Sequence, residues 1–450
     1  VSGRECMGAD DCPSGSKCFA ALAKAKAQTA DIVVTNHTLL AIEIVDSHPI
    51  LPERDAIILD EAHEFMDRTT QAVTEELTAA RVSRAANMAR KHMPGKATDA
   101  FAKAAEKFAA AINDYADDLK ADPAKAGRLD KLPSQLEAPL RAVKEAVTAI
   151  NALIAADAEI IDPNTMAERA RVKGALNEIN QTCTKLLKPG HTHVLWFEPT
   201  YSTLYLAPLA VSDVLRGNLL TKTPVIATSA TLTVGKSFDA IAKNIGFVIG
   251  GKNEDEIEDG DEKNEQKDGM DPANLQILDV GSPFDFANQG MLYLPKDLPE
   301  PGRDGPSKEA LVELGELIEA AGGRTLALFS SWRGVEAADE HLREVLAELK
   351  LPIITQRRGD SVGPLVEKFA KDEKSILLGT ISLWQGIDVP GPACTLVAID
   401  RIPFPRPDEP VLSARAAEAD AAGGSGFMQI SLPRAALLLA QGTGRLIRSL

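Results

Sequence analysis

The second half of the sequence alternates short apolar runs with longer amphipathic segments, and this alternation limits the possible folds more than any other feature. The apolar runs predict strands at 292–294, 325–330, 353–355, 376–380 and 394–400, and helices at 307–321 and 333–349. Strands that alternate strictly with helices form βαβ units, whose strands lie parallel in one sheet. The sequence therefore predicts an α/β fold with a parallel sheet in this half.

Two apolar runs near the N-terminus predict another parallel sheet. Residues 32–36 (IVVTN) and 56–60 (AIILD) are continuously apolar, and each run ends in a polar residue. This pattern is typical of strands that are buried on both faces. Strand-like residues return at 194–197 and 224–229, where we expect the first sheet to resume.

The residues between these runs indicate a helical insertion. Apolar side chains recur at three- and four-residue spacing from Phe101 to Leu119 and from Leu140 to Ile154. The chain is therefore divided into a cysteine-bearing segment at 1–30, a first α/β domain at 31–72 and 189–235, the insertion at 73–188, and a second α/β domain at 236–450.

Composition narrows the classes of protein. The chain is 44% hydrophobic and 25% charged, and it has no apolar run long enough to span a bilayer, so we expect no membrane association. A net charge of -16 argues against coating nucleic acid by bulk charge, although a narrow basic groove stays possible. Residues 252–271 hold ten acidic and three basic side chains and predict a solvated loop. Five cysteines are too few for a secreted disulfide framework, which predicts a cytoplasmic protein.

The sequence AIILDEAH at 56–63 places two carboxylates directly after a strand. In a nucleotide hydrolase, such a carboxylate holds Mg²⁺ and its neighbour orients or deprotonates the attacking water. Asp60 is therefore the candidate metal ligand, and Glu61 is the candidate that acts on water. A solvated strand end is the alternative interpretation of these residues alone.

A second group of candidate residues, QGTGRLIR at 441–448, lies at the other end of the chain. Arg445 and Arg448 share one face if this segment is helical, and paired guanidiniums suit the charge that develops on a transferring phosphoryl group. Further hydroxyl and glycine residues follow predicted strands at 228–231 (TSAT), 329–332 (FSSW) and 379–390 (GTISLWQGIDVP). The carboxyl ends of parallel strands are where doubly wound sheets bind ligands.

Taken in this order, the motifs resemble those of DinG-type helicases in the XPD-like superfamily 2, the iron–sulfur DNA helicases. The segment RIPFPRPDEP at 401–410 adds to the resemblance. It implies two RecA-like parallel-sheet helicase domains, with residues 73–188 as an arch domain. The arch and the iron–sulfur segment would form a gate for single-stranded DNA.

The resemblance also implies roles for individual residues. ATP and Mg²⁺ would bind between the α/β domains, with Asp60 and Glu61 on one wall and Arg445 and Arg448 on the other. His63 would link the DEAH sequence to the SAT sequence at 229–231. The residues expected to contact nucleotide are Gly386, Asp388, Gln441 and Gly444. The residues expected to contact DNA or to couple hydrolysis to it are Asn36, Ser229, Thr231, Ser330, Thr380 and Trp384.

Cys6, Cys12 and Cys18 lie on a loop rich in glycine, proline and serine, with five residues between successive cysteines. Thiolates on an irregular loop suit a metal or an iron–sulfur cluster, and zinc held by three cysteines and a histidine is a chemical alternative. Free surface cysteines are the other alternative. The resemblance implies that the three cysteines bind a [4Fe–4S] cluster whose fourth ligand lies upstream of Val1.

The phosphate-binding string G-x-x-x-x-G-K-[ST] does not occur in the sequence. The nearest string, ATLTVGKS at 230–237, lacks the first glycine and follows the DEAH sequence, so Lys236 is disfavoured as its lysine. We therefore expect the phosphate-binding loop upstream of Val1. Residues 1–450 alone are expected to be inactive.

The resemblance thus implies an ATP-dependent DNA helicase. It would act as a monomer, move 5′ to 3′ on single-stranded DNA, and unwind duplexes or R-loops in DNA repair. A DEAH-group RNA helicase is one alternative, although the 165 residues between His63 and Ser229 exceed an ordinary strand connection. A nucleic-acid-binding scaffold that does not hydrolyse ATP is the other.

Overall fold

The computed structural model describes residues 12, 14–46, 49–122, 127–156, 163–232, 237–247, 275–282, 284–299, 302, 305–383, 389 and 391–447. The chain divides into two compact units. Unit 1 comprises residues 1–232, 237–275 and 406–426, and unit 2 comprises residues 233–236, 276–405 and 427–450.

The secondary structure mixes helices and short strands. The helices are α1 (Phe19–Ala27), α2 (His37–Asp46), α3 (Phe65–Ala72), α4 (Ala79–His92), α5 (Lys96–Ala121), α6 (Ser134–Ala156), α7 (Pro163–Leu187), α8 (Ser212–Leu215), α9 (Asp239–Ile245), α10 (Phe286–Gln289), α11 (Lys308–Ala321), α12 (Trp332–Val345), α13 (Val362–Lys371), α14 (Pro410–Ala421) and α15 (Leu432–Thr443). The strands are β1 (Ile57–Leu59), β2 (Glu75–Thr78), β3 (Gly127–Leu129), β4 (His193–Glu198), β5 (Thr203–Pro208), β6 (Val225–Ala227), β7 (Thr325–Phe329), β8 (Ile353–Thr355), β9 (Ile376–Thr380) and β10 (Leu396–Ile399). Within the described part of the chain, no helix combines the length and the apolar character needed to cross a membrane.

Unit 2 contains a parallel sheet with the strand order β10-β7-β9-β8. Successive side chains of a strand point to opposite faces of the sheet, and the central strands β7 and β9 are buried on both faces. Leu326 and Leu328 pack in a core with Phe369, whereas Ala327 and Phe329 pack in the core formed with α11 and α12. The predicted parallel sheet is therefore confirmed. The prediction of a strand at 292–294 is wrong, since these residues form no strand and are exposed.

Unit 1 contains a parallel pair formed by β1 and β6. Ile57 and Leu59 face a core that includes Phe65, but the neighbouring side chains Ile58 and Ile226 are 70% and 55% exposed. The described residues therefore cover one face of this pair, and the expectation that β1 is buried on both faces is not met.

The run at 32–36 forms no strand, and its residues are exposed, so the strand predicted there is wrong. β-branched residues favour a strand only where a neighbouring strand provides hydrogen bonds and an apolar surface. No strand among the described residues pairs with this run.

The helical insertion is present and packs around one core. Helices α4 to α7 enclose side chains that include Phe101, Phe108 and Ile150, which confirms the predicted helical periodicity. An antiparallel sheet of order β2-β5-β4-β3 completes this core. The prediction that 194–197 rejoins the first sheet is wrong, because β4 and β5 are joined by a short loop and strands joined in this way pair antiparallel. The predicted α/β fold with parallel sheets and helical content is confirmed, but β2 and β3 lie within residues 73–188, so the predicted all-helical insertion is not wholly helical.

Candidate functional site

The sequences DEAH and TSAT meet at one edge of the β1–β6 pair. The two strands are parallel, so both end at the same edge. The Thr228 N–H donates to the Leu59 carbonyl at 2.9 Å, and the Ala62 N–H donates to the Thr228 carbonyl at 3.0 Å. Backbone hydrogen bonds therefore hold the two segments together independently of their side chains.

Asp60 is the first residue after β1, and its side chain fits a magnesium ligand. Its Oδ1 accepts hydrogen bonds from the Glu61 N–H at 3.0 Å and from the Thr228 hydroxyl at 3.3 Å, while no hydrogen bond within the described residues uses Oδ2. An exposed carboxylate oxygen at a strand end is a suitable ligand for this hard cation. The described residues contain no group of three or more His, Cys, Asp or Glu side chains arranged for a metal.

Glu61 adopts an uncommon backbone conformation, with φ 49° and ψ 47°. This left-handed geometry costs a residue other than glycine about 1–2 kcal/mol. It turns the chain from β1 into the helical turn Ala62–Glu64 and leaves the Glu61 side chain 57% exposed. The strained backbone conformation therefore belongs to Glu61, the residue whose carboxylate was predicted to act on the attacking water.

The Ser229 hydroxyl connects the two segments through side chains. Its Oγ lies 2.8 Å from Glu61 Oε2, 2.8 Å from His63 Nδ1 and 3.2 Å from the Thr231 amide nitrogen. A carboxylate oxygen can only accept, so Ser229 donates its one proton to Glu61. The Ser229 oxygen then accepts from the Thr231 N–H and from His63 Nδ1–H. The hydrogen-bond network thus assigns the proton of a neutral His63 to Nδ1.

His63 is buried, with 5% of its side chain exposed. Burial lowers the pKa of His63 below its ordinary value, while the carboxylates of Glu61 and Glu64 act in the opposite direction. Its Nδ1 lies 3.3 Å from Glu61 Oε2, and its Nε2 lies 3.9 Å from Glu64 Oε1. A neutral ring at neutral pH agrees with the role of donor to Ser229.

In unit 2, Thr380 is held at the end of β9 by Gln356, which directly follows β8. The buried Gln356 Oε1 accepts from the Thr380 N–H at 2.9 Å and from its hydroxyl at 3.3 Å, and Gln356 Nε2 donates to Ser382 Oγ at 2.7 Å. A Cβ on Gly379 would lie 2.8 Å from the same Oε1, so a larger residue there would displace the Gln356 side chain. Sequence reasoning missed Gln356, although a polar residue directly after a buried parallel strand was the available signal.

Ser330 is held in a similar way at the end of β7. Its N–H and its hydroxyl donate to the two carboxylate oxygens of Asp400, each at 3.0 Å, and Arg401 Nε donates to Oδ2 at 3.3 Å. The Asp400 side chain is 2% exposed, and burial raises its pKa while the bonds from Ser330 and Arg401 act in the opposite direction. Asp400 was also missed, although it ends the apolar run at 394–400.

The structure describes some of the residues that were predicted to form a site near the end of the chain. Gln441 lies on α15, which ends at Thr443, so Gly444 and Arg445 follow the helix. The helical face shared by both arginines was predicted only for a helical segment, and this condition does not hold at Arg445. The other predicted positions of this half, Trp384, Gly386, Asp388 and Arg448, lie outside the described residues.

The remaining predicted residues lie near the N-terminus. Asn36 Oδ1 accepts from the Leu39 N–H at 2.8 Å and so stabilises the start of α2. Cys12 and Cys18 are half-buried on either side of the helical turn Gly15–Lys17. Cys6, together with Lys236 and the acidic stretch 252–271, lies outside the described residues.

Comparison with known proteins gives consistent matches. The family model described as a helicase C-terminal domain matches residues 314–450. The ATP-dependent helicase DinG of Mycobacterium tuberculosis is 42% identical over 461 residues, which are 100% of this chain and 64% of that protein. The ATP-dependent DNA helicase YoaA of Escherichia coli is 30% identical over 98% of this chain and 66% of its own length.

A solved structure named XPD helicase has a TM-score of 0.48 at 16% identity, over 91% of this chain and 66% of that one, a likeness too weak to decide the fold. The chain spans just under two thirds of the curated relatives named above, at 64% and 66%. The match to the DinG helicase of Mycobacterium tuberculosis extends over the whole of this chain. The chain is therefore similar to DinG-type ATP-dependent helicases over its whole length.

Proposed function

We propose that this chain is the motor region of an ATP-dependent DNA helicase. The names of the DinG and YoaA relatives support ATP-dependent action on DNA. One observation carries the proposal: the Ser229 hydroxyl bonds the Glu61 carboxylate at the end of β1 to the segment after β6. A change in the position of the Glu61 carboxylate during ATP hydrolysis would thereby shift residues 229–231.

The side chains at the end of β1 support a division of labour. Asp60 would hold Mg²⁺, which neutralises phosphate charge when it is bound. Glu61 would orient the attacking water and take its proton, since its carboxylate is 57% exposed and its Oε1 is not used in a described hydrogen bond. Neutral His63 keeps Ser229 oriented toward Glu61. Arg445 and Arg448 would offset the charge that develops on the phosphoryl group.

The first helicase domain, proposed at 31–72 and 189–235, would contain β1 and β6 but not β4 and β5, which pack with α4 to α7, and further strands would complete its sheet. Ile58 and Ile226 are register partners and are exposed at 70% and 55%, so the described residues cover one face of the pair. A phosphate-binding loop preceding the DEAH sequence would belong to such strands. The proposed second domain, at 236–450, contains the four-stranded parallel sheet.

We also propose a [4Fe–4S] cluster on Cys6, Cys12 and Cys18. The half-buried loop position of Cys12 and Cys18 supports this, because cluster ligands must converge from an irregular backbone. Cys12→Ser and Cys18→Ser should each lower the iron content and visible absorbance of the full-length protein. Cys183→Ala is the control, since burial raises the pKa of Cys183 to about 12 and makes it a poor ligand. Unchanged iron content in both serine variants would argue against the cluster.

The finer functional proposals concern direction, substrate and cell compartment. The family resemblance supports 5′ to 3′ movement of a monomer on single-stranded DNA, and action on duplexes or R-loops in DNA repair in the cytoplasm. Substrates with a single 5′ or a single 3′ overhang would test the direction. Preferential unwinding of the 3′-tailed substrate would reverse it.

Glu61→Gln in the full-length protein tests the main proposal. The amide cannot take a proton from water, so DNA-stimulated hydrolysis should fall by about 100-fold or more while ATP binding persists. Glu76→Gln, at an exposed position on β2, is a matched control that should retain activity. Wild-type turnover in Glu61→Gln would remove Glu61 from this role.

The same assays separate the alternatives. An RNA helicase would unwind RNA duplexes in preference to DNA duplexes with matched overhangs. A scaffold would bind DNA without hydrolysing ATP in any variant.

A further inference from the structure

Helix α14 belongs to unit 1, although the chain on both sides of it belongs to unit 2. Unit 1 includes residues 406–426, whereas residues 276–405 and 427–450 are parts of unit 2. Within unit 1, α14 packs against β3 and β4 of the antiparallel sheet. We call residues 406–426 the α14 segment.

The buried side chain of Arg415 joins the α14 segment to two other elements of unit 1. Its Nε donates to the Leu209 carbonyl, which follows β5, at 2.7 Å, and its Nη2 donates to Thr70 Oγ1 on α3 at 2.9 Å. Its Nη1 lies 3.5 Å from Asp67 Oδ1, also on α3. The planar guanidinium can serve all three acceptors at once, which the single ammonium of lysine cannot do in the same geometry.

The contact with α3 has a fixed direction. Thr70 Oγ1 donates its proton to the Met66 carbonyl at 2.9 Å, so it accepts from Arg415. Helix α3 starts at Phe65, two residues after His63. Arg415 therefore bonds to the helix that continues directly from the DEAH sequence.

Hydrogen bonds within the α14 segment also fix both of its ends. The Glu409 side chain accepts from the Leu412 N–H at 2.6 Å and caps the start of α14. After the helix, the Gly426 N–H donates to Asp420 Oδ1 at 2.7 Å, and a Cβ on Gly426 would lie 2.4 Å from the Ala416 carbonyl oxygen. The chain thus returns to the residue beside Arg415 immediately before it re-enters unit 2.

From these contacts we propose that Arg415 is a positioning residue that fixes the α14 segment to α3. The segment then stays with unit 1 when nucleotide and DNA bind, and unit 2 is connected to a fixed helix at residues 406 and 426. Through the same contacts, Arg415 fixes the position of α3, which follows Asp60, Glu61 and His63 in the sequence. The kinetic part of this inference and the behaviour with bound nucleotide and DNA rest on the proposed function, whereas the exchange of the variants without ligand does not.

Hydrogen exchange of the full-length protein tests the structural part. In wild-type protein, α14 amides should exchange slowly both alone and with a non-hydrolysable ATP analogue plus a single-stranded oligonucleotide. Arg415→Met should speed exchange in α14 and α3 by about tenfold or more, since charge-assisted bonds to three acceptors are lost. Exchange in α12, which lies in unit 2, should not change. Arg141→Met, which removes an exposed ion pair with Glu137, is the matched control and should leave α14 unchanged.

A second variant covers the case in which Arg415→Met does not fold. Thr70→Val keeps the shape of the side chain and removes one acceptor, so exchange should increase in both α14 and α3 by a smaller factor. Unchanged exchange in the folded variants would overturn the proposal. Loss of α14 protection in wild-type protein on addition of analogue and oligonucleotide would also overturn it, because the segment would then leave unit 1.

Kinetics test the link to α3. Arg415→Met should lower kcat for DNA-stimulated ATP hydrolysis several-fold with an unchanged KM for ATP, and Arg415→Lys should restore part of the loss. An unchanged kcat would overturn the positioning role toward α3. A wild-type protein without ATPase activity would overturn the proposed function but leave the exchange result as the measure of the Arg415 contacts.

Discussion

Replacing Ser229 by alanine tests the hydrogen-bond network between the DEAH and SAT segments most directly. The hydroxyl donates to Glu61 and accepts from His63 and from the Thr231 N–H, so its removal affects three partners. Glu61 is 57% exposed and can bond to water instead, at little cost. The side chain of His63 is only 5% exposed, so its Nδ1–H carries most of the penalty.

The magnitude follows from that burial. An unsatisfied buried donor costs about 1–3 kcal/mol. Glu61 Oε2, 3.3 Å from His63 Nδ1, can relieve part of this penalty, so Ser229→Ala should lower the free energy of unfolding by about 1–2 kcal/mol. Thr231→Val is the control: it removes only a 3.4 Å contact with Ser229 and keeps the N–H donor, so it should cost less than about 0.5 kcal/mol.

A double-mutant cycle in urea separates this network from a general loss of packing. In a His63→Phe background, Ser229→Ala should cost about 1 kcal/mol less than in wild-type protein, because the buried donor is already absent. Equal costs in the two backgrounds would refute the assignment of Nδ1–H to Ser229. Unwinding should also fall more than ATP hydrolysis in Ser229→Ala, since the carboxylates after β1 are retained.

Three further predictions concern individual residues. Burial lowers the pKa of His63, so the native state binds fewer protons than the unfolded state. The stability that neutral His63 contributes should therefore be full above the ordinary pKa of 6.5 and fall as the pH drops below it. Equal pH slopes of the free energy of unfolding for wild type and His63→Phe in urea titrations would contradict this. Gly379→Ala should cost about 1–3 kcal/mol, because its Cβ would lie 2.0 Å from a leucine methyl carbon, whereas Gly363→Ala, with no atom within 4 Å, should be neutral or stabilising in thermal melts. Ser330→Ala should cost about 1–2 kcal/mol at neutral pH, since the buried carboxylate of Asp400 loses a donor, and unchanged stability would show that this bond contributes nothing.

The sequence was sufficient where a pattern repeats along an element. The apolar runs of β7 and β9 predicted strands of a parallel sheet, and both strands are buried at every position. Phe101 and Phe108 predicted the core-facing side of α5 in the same way, and both are fully buried. Periodicity predicts these features because the residues that create the pattern also form the contacts.

The sequence was insufficient where a contact joins distant segments. Nothing in the run at 32–36 distinguishes it from β1, yet β1 has β6 as a partner and that run has none among the described strands. Gln356 and Asp400 carry no local signal beyond their position after a strand, and Arg415 reaches Thr70, 345 residues away. Such contacts depend on which elements become neighbours, and one chain's sequence does not state this directly.

Both units hold hydroxyl residues at strand ends by the same physical means. In each case a residue on a neighbouring segment bonds the hydroxyl group: His63 with Ser229, Gln356 with Thr380, and Asp400 with Ser330. A hydroxyl can rotate at little cost, and a typical bond of this kind contributes about 1 kcal/mol net. Coupling free energies between sites are typically about 1–3 kcal/mol. Under the proposed function, exchanging one or two of these bonds would supply a coupling free energy of this size without disturbing the apolar cores beneath the sheets.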